Sequence, residues 1–251
     1  MTQFFFDELP IGSQVSIQTT DRGVISATSV AMASSSGLDW TDAFVQRNCP
    51  LVYQYTAVNG FSANTWRPWY GTDTFPDPGV GNRPILTLPE LLFDGVNDRL
   101  VVAASIAISD PMHILVVGRW QAGGQGPMFS NNIGTDILLA RSGDDVQFVI
   151  SGDLGAITRT VAQLESTHVY EFMTDSSGTA KTAFIDRVTS LDFSGSASGS
   201  TLSSLAVATD TGTTTFGKVG VDEIWIWRGN LPTTMAQTLV TALIAKHTIT
   251  P

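Results

Sequence analysis

Cysteine is almost missing from this chain: Cys49 is the only one in 251 residues. No disulfide can close within the chain, and the sequence does not read as one built for an oxidising compartment. Charge is scarce as well. Asp, Glu, Lys and Arg together make up 14% of the residues, against roughly 25% in an average soluble protein. Positive charge is the scarcer sign, with 13 Lys and Arg against 23 Asp and Glu, a formal net charge of −10. Without a Lys/Arg cluster to neutralise phosphates, nucleic acid is excluded as an expected partner, and an anionic membrane surface is disfavoured for the same reason. Long apolar runs are also lacking, since no stretch approaches the roughly 20 residues of a membrane span. The first residues, Met1 to Glu8, carry the triplet Phe4-Phe5-Phe6 but no basic region, and do not read as a secretory signal. The expectation is a soluble product made in the cytoplasm, compatible with release by lysis or assembly into a particle.

What fills the sequence instead is Gly, Ser and Thr between short apolar runs, the composition of many strands joined by turns. Period-two alternation and turn signals predict strands at Leu100–Ala103, His113–Arg119, Ile137–Arg141, Val146–Ser151, Ile157–Val161, Thr167–Thr174, Lys181–Ile185, Ser204–Ala208 and Val221–Arg228. Such spacing predicts an all-β sandwich or jelly roll. One helix is predicted over 232–247. Pro232 suits its first turn, Met235, Ala236, Leu239, Val240, Leu243 and Ile244 form an apolar stripe, and Lys246-His247 suit its C-terminal end. Such a helix is expected to lie across one end of the sandwich.

Ahead of this body lie two other segments. Residues 1–35 alternate as a two-strand arm, Gln14–Thr19 and Gly23–Met32, suited to docking or oligomerisation. Its Phe4, Phe5 and Phe6 are either an anchor for a partner or an edge strand of the same core. Residues 36–84 read as irregular, with a short helix at Leu38–Arg47 and then a segment crowded with Trp, Tyr and Pro. In that segment Trp66, Trp69 and Tyr70 allow two readings: a sugar-stacking platform, or aromatics that merely pin a long loop to the body.

The run Leu91-Leu92-Phe93-Asp94-Gly95-Val96-Asn97-Asp98-Arg99-Leu100 reads as strand, tight turn and strand. It resembles the Phe-Asp-Gly-x-x-Asp hairpin of laminin-G-like, concanavalin A-like sandwich domains. Preceded by Asn82-Arg83-Pro84, it is similar to such domains in tailed-bacteriophage virion proteins. Thr167–Phe172 followed by Ala183–Arg187 resembles the family's strand pair, with Arg187 where a turn glycine is usual. Gly217–Arg228 resembles its closing strand, with Trp227 in place of tyrosine. The likeness spans about residues 82–247. It implies a laminin-G-like jelly-roll body over 85–251 and a non-enzymatic virion structural protein, such as a capsid decoration, head-fibre or tail-associated protein. Other virion proteins and further copies of the chain would be its partners, with cell-surface glycan a further contact.

The catalytic alternatives are weak. Asp222-Glu223 invites a glycan hydrolase reading, but adjacent strand residues point to opposite faces, whereas a carboxylate pair for retaining hydrolysis must lie roughly 5–5.5 Å apart. The acids are better read as turn and edge hydrogen-bonding groups. Asp136, Asp144, Asp145 and Asp153 sit in loops without a calcium-binding spacing, so calcium is open but has no motif. His113, His168 and His247 are scattered, no Gly-x-Ser-x-Gly elbow is present, and Gly123–Gly126 lacks the lysine and helix of a phosphate loop. No catalytic, cofactor or metal residue is therefore assigned. The rival to the virion reading is a lectin-like module using Trp66, Trp69 and Tyr70.

Overall fold

The computed structural model describes residues 48–109, 111–131, 137–150, 153–194, 201–210 and 215–251. The expectations for the arm at 1–35, for Phe4, Phe5 and Phe6, for the helix at Leu38–Arg47 and for Asp136 lie outside the described residues. In chain order the first strands are β1 (Leu51–Thr56), β2 (Phe61–Ser62), β3 (Thr65–Trp66), β4 (Ile85–Thr87), β5 (Glu90–Leu92) and β6 (Leu100–Ser109). They are followed by β7 (Met112–Trp120), β8 (Gly126–Ser130), β9 (Ile137–Ser142), β10 (Asp145–Ile150) and β11 (Asp153–Thr158). The last are β12 (His168–Thr174), β13 (Ala180–Ile185), β14 (Thr189–Ser194), β15 (Thr201–Val207) and β16 (Val219–Arg228). Helices α1 (Ala57–Gly60), α2 (Val161–Leu164) and α3 (Thr233–Lys246) complete the described elements.

The strands form two antiparallel sheets. The larger runs β14-β13-β12-β7-β16-β5-β4, with β1 also pairing β16, and the smaller runs β11-β10-β9-β8-β15-β6. The inward residues of both sheets make one apolar core that includes Ile114, Val116, Phe148, Tyr170, Phe172 and Ile224. At one side the sandwich closes where β11 meets β14. There Gly155 lies under Leu191 and Phe193, and the wholly buried Lys181 ammonium reaches Asp153 at 2.5 Å. The all-β sandwich with a C-terminal helix is thus the observed fold.

Strand β16 is central and buried on both faces, as the pairing of its residues predicts. Ile224 and Ile226 face the core between the sheets, while Trp225 and Trp227 stack at 5.8 Å on the opposite face. That opposite face is where α3 lies: Ala236, Leu239, Val240 and Leu243 pack with Leu115, Val117, Val169, Trp225 and Trp227. The helix therefore forms a third layer outside the large sheet, not a plug across one end. The reason is the uncovered apolar row on β7, β12 and β16, which only a helix stripe of this width can bury.

Other departures are local. The strand expected at Ile157–Val161 is instead Asp153–Thr158, because Thr160 caps α2 through a reciprocal bond with Gln163. The segment expected to be irregular contains β1, a buried strand of the large sheet. The Leu91–Leu100 run is not a hairpin: β5 belongs to the large sheet and β6 to the small one. Its turn chemistry was read correctly, however. Asp94 Oδ1 accepts the backbone N–H groups of Val96, Asn97 and Asp98 at 2.8, 3.2 and 3.3 Å, and Asp98 Oδ2 accepts that of Asp94 at 3.0 Å. Gly95 adopts φ +78° with Lys218 against it, a place where a β-carbon would approach Lys218 Cβ to 2.7 Å.

Candidate functional site

A ten-residue loop projects the aromatic residues singled out in the sequence. Trp66 and Phe75 close its base by exchanging backbone hydrogen bonds of 3.1 and 2.9 Å. Their rings stack at 5.8 Å, and Tyr55 packs on both. Trp66 is fully buried and donates its indole N–H to the Thr56 carbonyl at 2.9 Å. On the way back the loop is held by the Tyr53 and Tyr55 hydroxyls, which donate to the Asp73 carboxylate and carbonyl. Between these fastenings, the backbone N–H of Trp69 donates to the Gln54 carbonyl at 2.6 Å, and the Gln54 N–H donates to the Tyr70 carbonyl at 2.9 Å. Gly71 follows with φ +109°, and a side chain there would strike the Tyr53 ring and Val52 carbonyl at 2.7 Å.

The two sequence readings thus apply to different residues. Trp66 does the pinning and, being buried, makes no surface contact. Trp69 and Tyr70 are 50% and 48% exposed, on a backbone already fixed against β1. Beside them an open groove of about 420 Å³ is lined by Pro50, Leu51, Val52, Tyr70, Gly71, Thr72 and Arg228. Its walls are mostly apolar, its rim carries the Tyr70 ring, and Thr72 and Arg228 belong to its lining, the Arg228 guanidinium also donating to the Ala107 carbonyl at 3.3 Å. An aromatic face beside a few directional polar groups is suited to a sugar ring, which has an apolar face and hydroxyls at its edge. Arg228 was not singled out in the sequence. The available signal was a lone cation ending a strand of tryptophans and isoleucines.

The adjacent acids behave differently from their expectation. The pairing of β16 with β7 slips by one residue between Val221 and Glu223. This bulge at Asp222 breaks the strict alternation that would send the two carboxylates to opposite faces. Both reach His247: Glu223 Oε1 lies 2.9 Å from Nε2, and Asp222 Oδ2 lies 3.7 Å from Nδ1. Glu223 also accepts from the Trp225 indole at 2.9 Å and from Lys246. Glu90 pairs with Arg119 alongside. Far from an exposed edge, the acids are 3% and 1% accessible. Burial pushes the Asp222 carboxyl up to about 6, against the pull of His247. Burial also acts to raise Glu223, but its hydrogen bonds with His247 and Lys246 outweigh it and hold the carboxyl below its usual range. This group fastens the end of α3 to the sheet, and no polysaccharide reaches it.

The remaining histidines are likewise structural. The Leu231 backbone N–H points at His113 Nδ1 at 3.3 Å, so Nε2 carries the hydrogen and donates to Glu171 at 2.6 Å. Arg187 forms the other side of Glu171, from a turn where it adopts φ +56°. His168 lies between Asp186 at 2.5 Å and the Gln163 carbonyl at 2.6 Å. Of the acids expected in loops, Asp145 and Asp153 instead open β10 and β11, where Asp145 accepts from the Thr158 hydroxyl at 2.6 Å and Asp153 pairs with Lys181. Among the described residues no group of three or more His, Cys, Asp or Glu is arranged to hold a metal ion.

No family model and no curated protein matches the chain. Solved structures do. Trypanosoma rangeli sialidase in complex with sialic acid superposes with a TM-score of 0.58 at 12% identity, covering 92% of this chain and 36% of that one. The binding domain of botulinum neurotoxin serotype D/C superposes with a TM-score of 0.53 at 10% identity, covering 77% and 52%. A botulinum neurotoxin type C structure, whose cell entry depends on two ganglioside molecules, gives 0.52 at 9% identity, covering 77% and 51%. The chain spans about a third of the sialidase chains and about half of the toxin chains. At these identities the likeness defines the fold alone. The fold they share with this chain is an antiparallel β-sandwich.

Proposed function

We propose that the protein is a non-enzymatic glycan-recognising module that serves as a structural component of a tailed-bacteriophage virion. The observation that carries the recognition half is the placement of Trp69 and Tyr70. Two large aromatic side chains stand half-exposed on a loop clamped at its base and middle, beside a groove ending in Arg228. A preordered aromatic surface costs little further ordering when a sugar stacks on it. The neighbours in structure whose names include sialic acid and gangliosides support the same choice. The adjacent acids Asp222 and Glu223 are buried beside the end of α3, so they favour no hydrolysis.

The virion half rests on the laminin-G-like resemblance of residues 82–100 and 217–228. It makes other virion proteins and further copies of this chain the partners, with the particle as location. Capsid decoration, head fibre and tail attachment all fit the resemblance.

A glycan array probed with the full chain tests recognition. Binding to a defined glycan set, lost in Trp69→Ala and Tyr70→Ala while both variants melt as the wild type does, is the expected result. Absence of binding to any glycan by well-folded protein refutes it. Mass spectrometry of purified particles tests location, and a particle proteome without the chain refutes the virion reading.

A further inference from the structure

Among the described residues, neither the buried Arg141 nor the half-buried Arg159 forms an ion pair with a carboxylate. Along β9, Ile137 and Leu139 face the core, so Arg141, two residues further on, faces inward too. It is 4% exposed. Ile157 of β11 is also a core residue, and the same alternation turns Arg159 inward just past the strand end. From the large sheet, Tyr170 of β12 enters the same region, fully buried, with its ring edge-on to Trp120 at 5.3 Å.

Part of this polar group is satisfied. Arg141 Nε donates to the Gly143 carbonyl at 2.8 Å, and an Arg159 terminal nitrogen donates to the Thr189 hydroxyl at 2.5 Å. Three buried polar atoms are not: Arg141 Nη1, Arg159 Nε and Tyr170 Oη. The Trp120 indole beside Tyr170 donates to the Gly126 carbonyl at 3.0 Å, Gly126 pairs with Arg141 across β8 and β9, and the Arg159 N–H donates to the Asp144 carbonyl in the adjoining turn, so all three side chains stand at one end of the sandwich. Among the described residues the carboxylate that acts on this phenol is Asp186. It is already engaged, by the Val169 N–H at 2.7 Å and by His168 at 2.5 Å. Two guanidinium charges, permanent at any working pH, therefore sit beside one engaged carboxylate. An unpaired buried charge is costly, and so is each orphaned N–H.

We propose that this end of the sandwich binds a single monovalent anion of halide size, held by Arg141 Nη1–H, Arg159 Nε–H and Tyr170 O–H. The donors are of the right kind: two charged N–H groups and a phenol. Burial pushes the phenol well above its ordinary value, so it remains a hydroxyl. Ordered water would satisfy the hydrogen bonds but leave the positive charge uncompensated. A multivalent oxyanion would need more donors than these three. Because the donors come from both sheets, the anion ties them together.

The test uses the full chain. Melting is followed in sodium chloride and in sodium gluconate at constant ionic strength. A ligand that binds only the folded state raises the melting temperature with its concentration, here by roughly 5 °C between chloride-free and saturating conditions. The rise is expected to disappear in Arg141→Met and to shrink in Tyr170→Phe, the milder variant that keeps the measurement available if the first does not fold. Crystals grown with sodium bromide should show an anomalous peak among the three side chains. Equal melting in both salts, together with no bromide peak, overturns the proposal and assigns the donors to water.

Discussion

Asp222→Asn is expected to stabilise the protein at neutral pH, although it removes a charged group that touches a histidine. The Asp222 carboxyl ordinarily titrates at 3.8 and is pushed up to about 6 in the fold, by burial first, with Glu90 and Glu223 adding to the rise and His247 and Arg119 opposing it. Between these two values the folded chain holds more protons at this position than the unfolded chain. Raising the pH through that window therefore withdraws stability, and above about pH 6 the whole loss is in place. The displacement corresponds to about 3 kcal/mol. An amide has the shape of the protonated acid and carries no charge, so the variant escapes the loss. His247 keeps its 2.9 Å contact with Glu223. Urea unfolding of both proteins from pH 3.5 to 8 should show near-equal stability at pH 4 and a gap that opens to as much as about 3 kcal/mol by pH 7. A variant less stable than wild type at pH 7.5, or a gap independent of pH, would refute the reasoning.

Arg187→Gly relieves a left-handed backbone, worth about 1 kcal/mol, but strips a buried carboxylate of its guanidinium partner, typically a loss of about 3–5 kcal/mol. The net expectation is destabilisation by about 2–4 kcal/mol in denaturant unfolding, and a neutral or stabilising outcome would show that His113 alone satisfies Glu171. Trp66→Ala should cost about 3–5 kcal/mol and expose the 66–75 loop to limited proteolysis. Trp69→Ala, three residues away, should change stability by less than about 0.5 kcal/mol; equal losses in the two would contradict the division between pinning and presentation.

Much of this fold is legible in the sequence because the signals are strictly periodic. The alternation of Ile224 and Ile226 with Trp225 and Trp227 identifies a strand covered on both faces, and the observed layers on either side agree. The stripe from Met235 to Ile244 identifies α3, but a stripe says only that a partner exists. Which surface it meets depends on the apolar row assembled from β7, β12 and β16, residues far apart in the chain. The Leu91–Leu100 run shows the same limit. Its turn follows from Asp94 and Asp98, whereas whether the flanking strands pair with each other is a matter of topology. The acids at 222 and 223 were misplaced because alternation holds only without a bulge, and nothing in the local sequence announces one. The aromatic loop was half legible. Composition marked Trp66, Trp69 and Tyr70 together, and only the folded contacts sort the buried ring from the exposed ones.

The fastening of Tyr70 to Gln54 also bears on how the edge of the large sheet is protected. Strand β1 pairs with β16 along one side, and its other side would offer free N–H and C=O groups to any passing strand. The backbone of Trp69 and Tyr70 occupies that side at Gln54. The loop that displays the aromatic rings is thus also a guard rail: it denies that stretch of the sheet edge to any strand that would add itself there.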